Sequence, residues 1–154
     1  MNNIKQFKVK EVIADNSAIV NFGSGADWVG DEWISMAEER LGLQFTDSYK
    51  WFLSNYRGGE IGSEEIYSVY GIDFESANGG DIVFQNLQSR SSGLIGADSL
   101  IVSETDMGEV FYLDYKFFSN GECPVRMRLP SGQSVEYASD FYDYLCERII
   151  CHMS

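Results

Sequence analysis

The hydrophobic pattern of the chain changes period at Arg57-Gly58-Gly59. Before that point it is helical. In Ser48–Tyr56, Tyr49, Phe52, Leu53 and Tyr56 fall at i, i+3, i+4 and i+7, on one face of a helix. Trp51 points the other way, beside Lys50, Ser54 and Asn55. Upstream, Trp33, Ile34, Ala37 and Leu41 line one face of a helix over Asp31–Leu41, and Gly42 stands where a helix-ending glycine belongs. Thr46 or Asp47 caps the second helix, and Arg57-Gly58-Gly59 stops it. So short a link between two helices makes an αα-hairpin.

Beyond Gly59 the pattern becomes strand-like. Ile66–Ile72 is rich in β-branched and aromatic residues and reads as a strand. A turn-rich link follows, then a short helix over Asp81–Arg90 with Asp81 near its N-terminus, then a loop to Asp98. Leu100–Ser103 and Glu109–Tyr115 flank Asp106-Met107-Gly108 as a β-hairpin. Pro124–Leu129 alternates, with Arg126 and Arg128 outward and set to pair with Glu136 across the next turn. Ser134–Tyr137 is a further strand. Ser139 is the expected cap of a last helix whose stripe is Phe141, Tyr142, Leu145 and Ile149. At the other end, Ile4–Ala14 reads as a short helix and Ser17–Gly25 as a strand or loop. The expected class is α+β: a mainly antiparallel sheet with an N-terminal helical hairpin and a C-terminal helix packed on it. The 154 residues suit one domain, 1–154, and with 44% hydrophobic residues they can build a sizeable core.

The charge is one-sided. Net charge is −13, and the span from 27 to 122 carries that whole excess, with eight Asp and ten Glu against Arg40, Lys50, Arg57, Arg90 and Lys116. Such a field repels nucleic acid and membrane surfaces and speeds encounter with a basic partner. No apolar run is long enough to span a bilayer, and no apolar segment follows the basic start to make a secretory signal. Three cysteines, Cys123, Cys146 and Cys151, give an odd count without zinc spacing, so a reduced, cytoplasmic protein is expected.

No catalytic constellation stands out. His152, the one histidine, lies near the end in what reads as a loose tail, and no glycine run is long enough to cradle a phosphate. Carboxylate pairs are plentiful, and a small hydrolase built on one of them is the enzymatic alternative. No catalytic residue, metal site or cofactor is assigned.

In order along the chain, Ile34-x3-Glu38-x2-Leu41-Gly42, Ser48-Tyr49-Lys50-x-Phe52-Leu53 and Asn55-x2-Gly58-Gly59 resemble the SUKH superfamily, the cell-wall-assembly-regulator-like group. Val69–Asp73, Leu100–Val102, Gly108–Asp114, Gly121–Val125 and Ala138-Ser139-Asp140-Phe141-x3-Leu145 continue the likeness. It covers about residues 31–149 and leaves 1–30 as an N-terminal extension. Where the family commonly has Leu-Pro before its Tyr-Lys helix, this chain has Phe45-Thr46, and a Thr cap starts a helix as well as a Pro does. The resemblance implies a binding protein. Bacterial members look like cytoplasmic immunity proteins that neutralise a cognate toxin, often a nuclease; fungal relatives act as regulatory interaction proteins. An acidic surface complements a nuclease site, which is basic because it holds phosphates. The expected partner is therefore a basic protein toxin, and the alternative is an intracellular regulatory domain without a toxin. The residues expected to meet the partner are Trp51, Glu60, Glu64, Glu65, Asp73, Glu75, Asp81, Glu104, Asp106 and Glu109. Trp51 has two packing alternatives, beneath the N-terminal segment or against the first helix of the hairpin.

Overall fold

A computed structural model describes residues 2–153. Its elements run α1 (Asn2–Asp15), β1 (Val20–Phe22), α2 (Asp31–Leu41), α3 (Asp47–Tyr56), β2 (Gly59–Ile61), β3 (Glu64–Ile66), α4 (Ile82–Ser91), β4 (Ser99–Glu104), β5 (Val110–Asp114), β6 (Val125–Arg128), β7 (Ser134–Ala138) and α5 (Phe141–Cys151). Two antiparallel sheets, β1-β2-β3 and β4-β5-β6-β7, pack with the helices as an α+β fold.

The helical hairpin forms as its caps dictate. Gly42 takes the left-handed conformation (φ 72°) and its N–H closes on Glu38 O at 2.8 Å. Thr46 caps α3 by accepting from Tyr49 N. Tyr49, Phe52 and Leu53 are buried, and Tyr56 is half-buried at the end of the stripe. Glu122 reaches the first turn of α3, accepting from Ser48 N at 2.8 Å and Ser48 Oγ at 2.6 Å, while Phe141 N donates to the same hydroxyl at 3.2 Å. The N-termini of α3 and α5 are thus tied through one serine.

Three expectations are corrected. The strand read over Ile66–Ile72 is instead the end of a short hairpin, β2–β3, which turns at Gly62 (φ 62°). Tyr67 and Val69 are apolar because the joint is buried there: Tyr67 N donates to Val102 O at 2.8 Å, joining the two sheets, and Ser68 bridges Asp81. The cap of α5 is Asp140, which accepts from Asp143 N at 2.9 Å, whereas Ser139 bonds the Asp143 carboxylate. Arg126 faces Glu136 in register but pairs with Asp114 at 3.8 Å.

The open edge of β4 is closed by a side chain. Asn86 of α4 donates to Ile101 O at 2.9 Å and accepts from Ile101 N at 2.7 Å, standing in for a neighbouring strand. The N-terminal extension does comparable work. β1 pairs with β2, and α1 packs on α5 through the fully buried Val9. Lys5 meets Asp140 at 2.7 Å and Asp143 at 3.0 Å.

The Lys5 tie fixes a pH window. Burial alone would lower the Lys5 pKa, but hydrogen bonds to Asp140 and Asp143 raise it above its ordinary value of 10.5. Burial alone would raise Asp143, but hydrogen bonds from Ser139 and Lys5 pull it below its ordinary 3.8. The lysine contribution is complete below its unfolded pKa and fades as pH rises through the raised folded value. The carboxylate contribution is complete above its unfolded pKa and fades as pH falls through the depressed folded value. Protection of the α1 amides, taken relative to their intrinsic exchange rate at each pH, is expected to be highest between those limits and lower beyond either, and Lys5→Met should flatten the profile. Val9→Ala should cost about 2 kcal/mol, two methyl groups of transfer plus a small cavity, read as a lower urea midpoint.

Candidate partner-binding face

The β4–β5 turn is built by its own residues. Gly108 supplies the positive φ (85°), Thr105 N donates to Glu109 O at 2.9 Å, and Gly108 N returns to Thr105 O at 3.0 Å. This turn carries Glu104, Asp106 and Glu109 around Met107, whose side chain stands in solvent at 80% exposure. The three carboxylates rim an open cleft of about 460 Å³ whose apolar lining includes Met107, Met127 and Tyr137.

Arg148 and Glu64 form the base of the cleft, with side chains 8% and 4% exposed. Arg148 Nε donates to Glu64 Oε2 at 3.1 Å, and its Nη2 bonds Oε1 as the second arm of a bidentate pair. The guanidinium lies 4.5 Å from the Phe111 ring centroid and donates to Tyr137 Oη at 3.3 Å. Burial alone would lower the Arg148 pKa; the Glu64 bonds outweigh it and hold the residue charged. Ser103 Oγ donates to Glu64 Oε2 at 3.2 Å, and His152 Nε2 lies 3.2 Å from Oε1. His152 is therefore seated against Glu64 and is no loose tail. Both Glu64 oxygens are thus engaged by neighbouring side chains. Among the described residues, no group of three or more His, Cys, Asp or Glu is disposed to hold a metal ion, and no helix is long and apolar enough to cross a membrane.

The ten expected partner residues do not share one face. Glu104, Asp106 and Glu109 converge on this cleft. Glu64 lies beneath them, inside the fold. Asp81 is fully buried and structural: it caps α4 by accepting from Phe84 N at 2.9 Å and takes Tyr70 N at 3.1 Å. Glu65 points into a different cleft, where it accepts from Tyr70 Oη at 2.7 Å. Glu60 is exposed on β2, and Asp73 and Glu75 sit in the link after β3, where Glu75 meets Arg40 at 2.8 Å. Trp51 is half-buried. Its ring meets Tyr142 edge-on (centroids 5.4 Å) and Tyr56 (5.9 Å), and Lys10 of α1 lies 6.0 Å from its centroid. The remaining surface of Trp51 lines a groove shared with Ile34 and Glu38 of α2, while its ring neighbours are Lys10 of α1, Tyr142 of α5 and Tyr56.

Sequence reasoning missed Met107, Met127, Arg148 and His152 as parts of this cleft. The signal for Arg148 was available, since it lies three residues after Leu145 and borders the apolar stripe of α5.

Removing one partner of the buried pair leaves the other unpaired and desolvated. Arg148→Met and Glu64→Gln are each expected to cost about 3–5 kcal/mol, and the double variant less than their sum, in a denaturation double-mutant cycle. Asp81→Ala should cost about 2–4 kcal/mol, a lost cap plus an orphaned Tyr70 N–H, in the same assay.

The chain from α2 to the first turns of α5, which includes the hairpin turn of this cleft but not Arg148 or His152, coincides with a recognised domain pattern. The family model SUKH_6 (SMI1-KNR4 cell-wall) matches residues 31–145, and the chain belongs to that family.

Proposed function

We propose that this protein is a non-catalytic, cytoplasmic immunity protein that neutralises a basic protein toxin by binding it. Family membership supports an immunity-protein-like or cell-wall-regulator-like domain. The observation that carries the finer reading is the convergence of Glu104, Asp106 and Glu109 around the exposed Met107, above an apolar wall. A lysine or arginine of the partner can lay its alkyl stem along the methionines and place its charge among the carboxylates. The net charge of −13 adds long-range attraction to any basic site. A nuclease is the kind of toxin whose phosphate-holding site fits this description.

The test is co-expression with the toxin domain encoded beside this chain, scored by survival, with binding followed by calorimetry at two salt concentrations. Survival and near one-to-one binding that weakens as salt rises are expected. The triple variant E104K/D106K/E109K should keep its circular dichroism spectrum and lose roughly a hundredfold or more in affinity. Undiminished protection by that variant would refute the assigned face. Continued killing with no heat of binding would leave the cell-wall-regulator-like role as the better reading of the fold.

A further inference from the structure

Strand alternation sends the two glutamates of β3 to opposite sides. Glu64 enters the core, and Glu65 lines a second open cleft of about 580 Å³. Backbone forms much of this cleft, at Gly23, Gly58 and Gly59. A Cβ on Gly58 would come within 2.7 Å of the Ser68 side chain, and one on Gly23 would crowd Asp27 Oδ2 at 2.9 Å and Tyr56 O at 3.1 Å, so a side chain at either place would press on the cleft wall.

Three charged groups face the same space: Arg57, Asp27 and Glu65. Among the described residues, none of them forms an ion pair with another or with any other charged side chain within 4.0 Å. Each is steadied by a neutral partner instead. Arg57 Nη2 donates to Tyr70 O at 2.8 Å, Asp27 Oδ2 accepts from Ser24 N at 3.0 Å, and Glu65 Oε2 accepts from Tyr70 Oη at 2.7 Å. Tyr70 Oη in turn accepts from Gly80 N at 2.7 Å, which fixes the wall that carries Glu65. Arg57 keeps most of its five donors free, and each carboxylate keeps an oxygen free.

The backbone at Arg57 is strained. With φ 65° and ψ −43°, and with Gly58 N donating to Tyr56 O at 2.7 Å, it forms a γ-turn of the rare positive-φ kind. Glycine would make that turn without strain. What the arginine adds at this position is its guanidinium, and strain of this sort concentrates where a side chain serves a ligand.

A simple anion in the cleft would meet two carboxylates, and a simple cation would meet a guanidinium. A ligand with both charges on neighbouring atoms satisfies all three groups. We propose that this cleft binds a free α-amino acid, its carboxylate on Arg57 and its ammonium on the open oxygens of Asp27 and Glu65. This site is separate from the partner face and does not rest on the toxin-binding reading.

The experiment uses the full chain. Thermal shift and calorimetry are run with glycine, L-alanine, L-lysine and L-glutamate, and with N-acetylglycine and glycine methyl ester as probes lacking one charge. At least one amino acid should bind and raise the melting temperature, and neither blocked derivative should. Arg57→Gln and Glu65→Gln should each weaken binding roughly tenfold or more. Arg57→Gly relieves the turn, so its own melting temperature should hold while its response to the amino acid disappears. The variant E104K/D106K/E109K should bind the amino acid as the unaltered chain does, which keeps this test apart from that of the partner face. Absence of binding by all four amino acids at millimolar concentration would overturn the proposal. So would equal binding of either blocked derivative, or an Arg57→Gly protein that responds as before.

Discussion

One buried ion pair holds the architecture in register. Arg148 and Glu64 join the last helix to β3, and their remaining contacts reach β4 through Ser103, β5 through the Phe111 ring and β7 through Tyr137. Two charges taken out of water gain little net stability, because desolvation offsets most of their attraction. Their effect lies in direction. A bidentate pair whose acceptor oxygens also take Ser103 and His152, and whose third nitrogen reaches Tyr137, tolerates one arrangement, while an apolar contact between the same elements would tolerate several. The seam between the two sheets is therefore specified by a polar lock, with the surrounding aromatic rings supplying the burial. The partner cleft opens above this lock, so its shape is fixed by the most constrained part of the fold.

The helices were legible from the sequence because helical period and cap chemistry agreed. Asp31–Leu41 with Gly42, and Asp47–Tyr56 with Thr46, needed no tertiary information. The strands of the second sheet were legible because their turns carry Gly108 and Pro130-Ser131-Gly132. The region after α3 was misread because β-branched and aromatic residues report burial, not pairing. Tyr67 and Val69 are buried where the two sheets meet, and the laddered residues precede them. The stop read at Arg57-Gly58-Gly59 falls where α3 ends, with Arg57 as its cap and Gly59 already the first residue of β2.

The acidic site was only partly readable. Glu104, Asp106 and Glu109 come together because a hairpin brings the ends of its strands into contact. Glu64 and Glu65 are adjacent in sequence and opposite in space, which the pleat predicts once the strand is placed but cannot reveal before. Asp81 sits where a helix cap belongs, and that position was the clue that its charge is turned inward. Acid count alone does not separate a carboxylate that meets solvent from one that meets a backbone N–H.

The end of the second sheet has a consequence for self-association. β7 is the terminal strand of its sheet, and Glu136, exposed, is its middle residue. Were two copies to add edge to edge through β7 about a two-fold axis, the symmetric register would set Glu136 directly against its own counterpart. Like charges in that position repel. The strand thereby carries a guard against ribbon-like growth in the register that would pair all five of its residues.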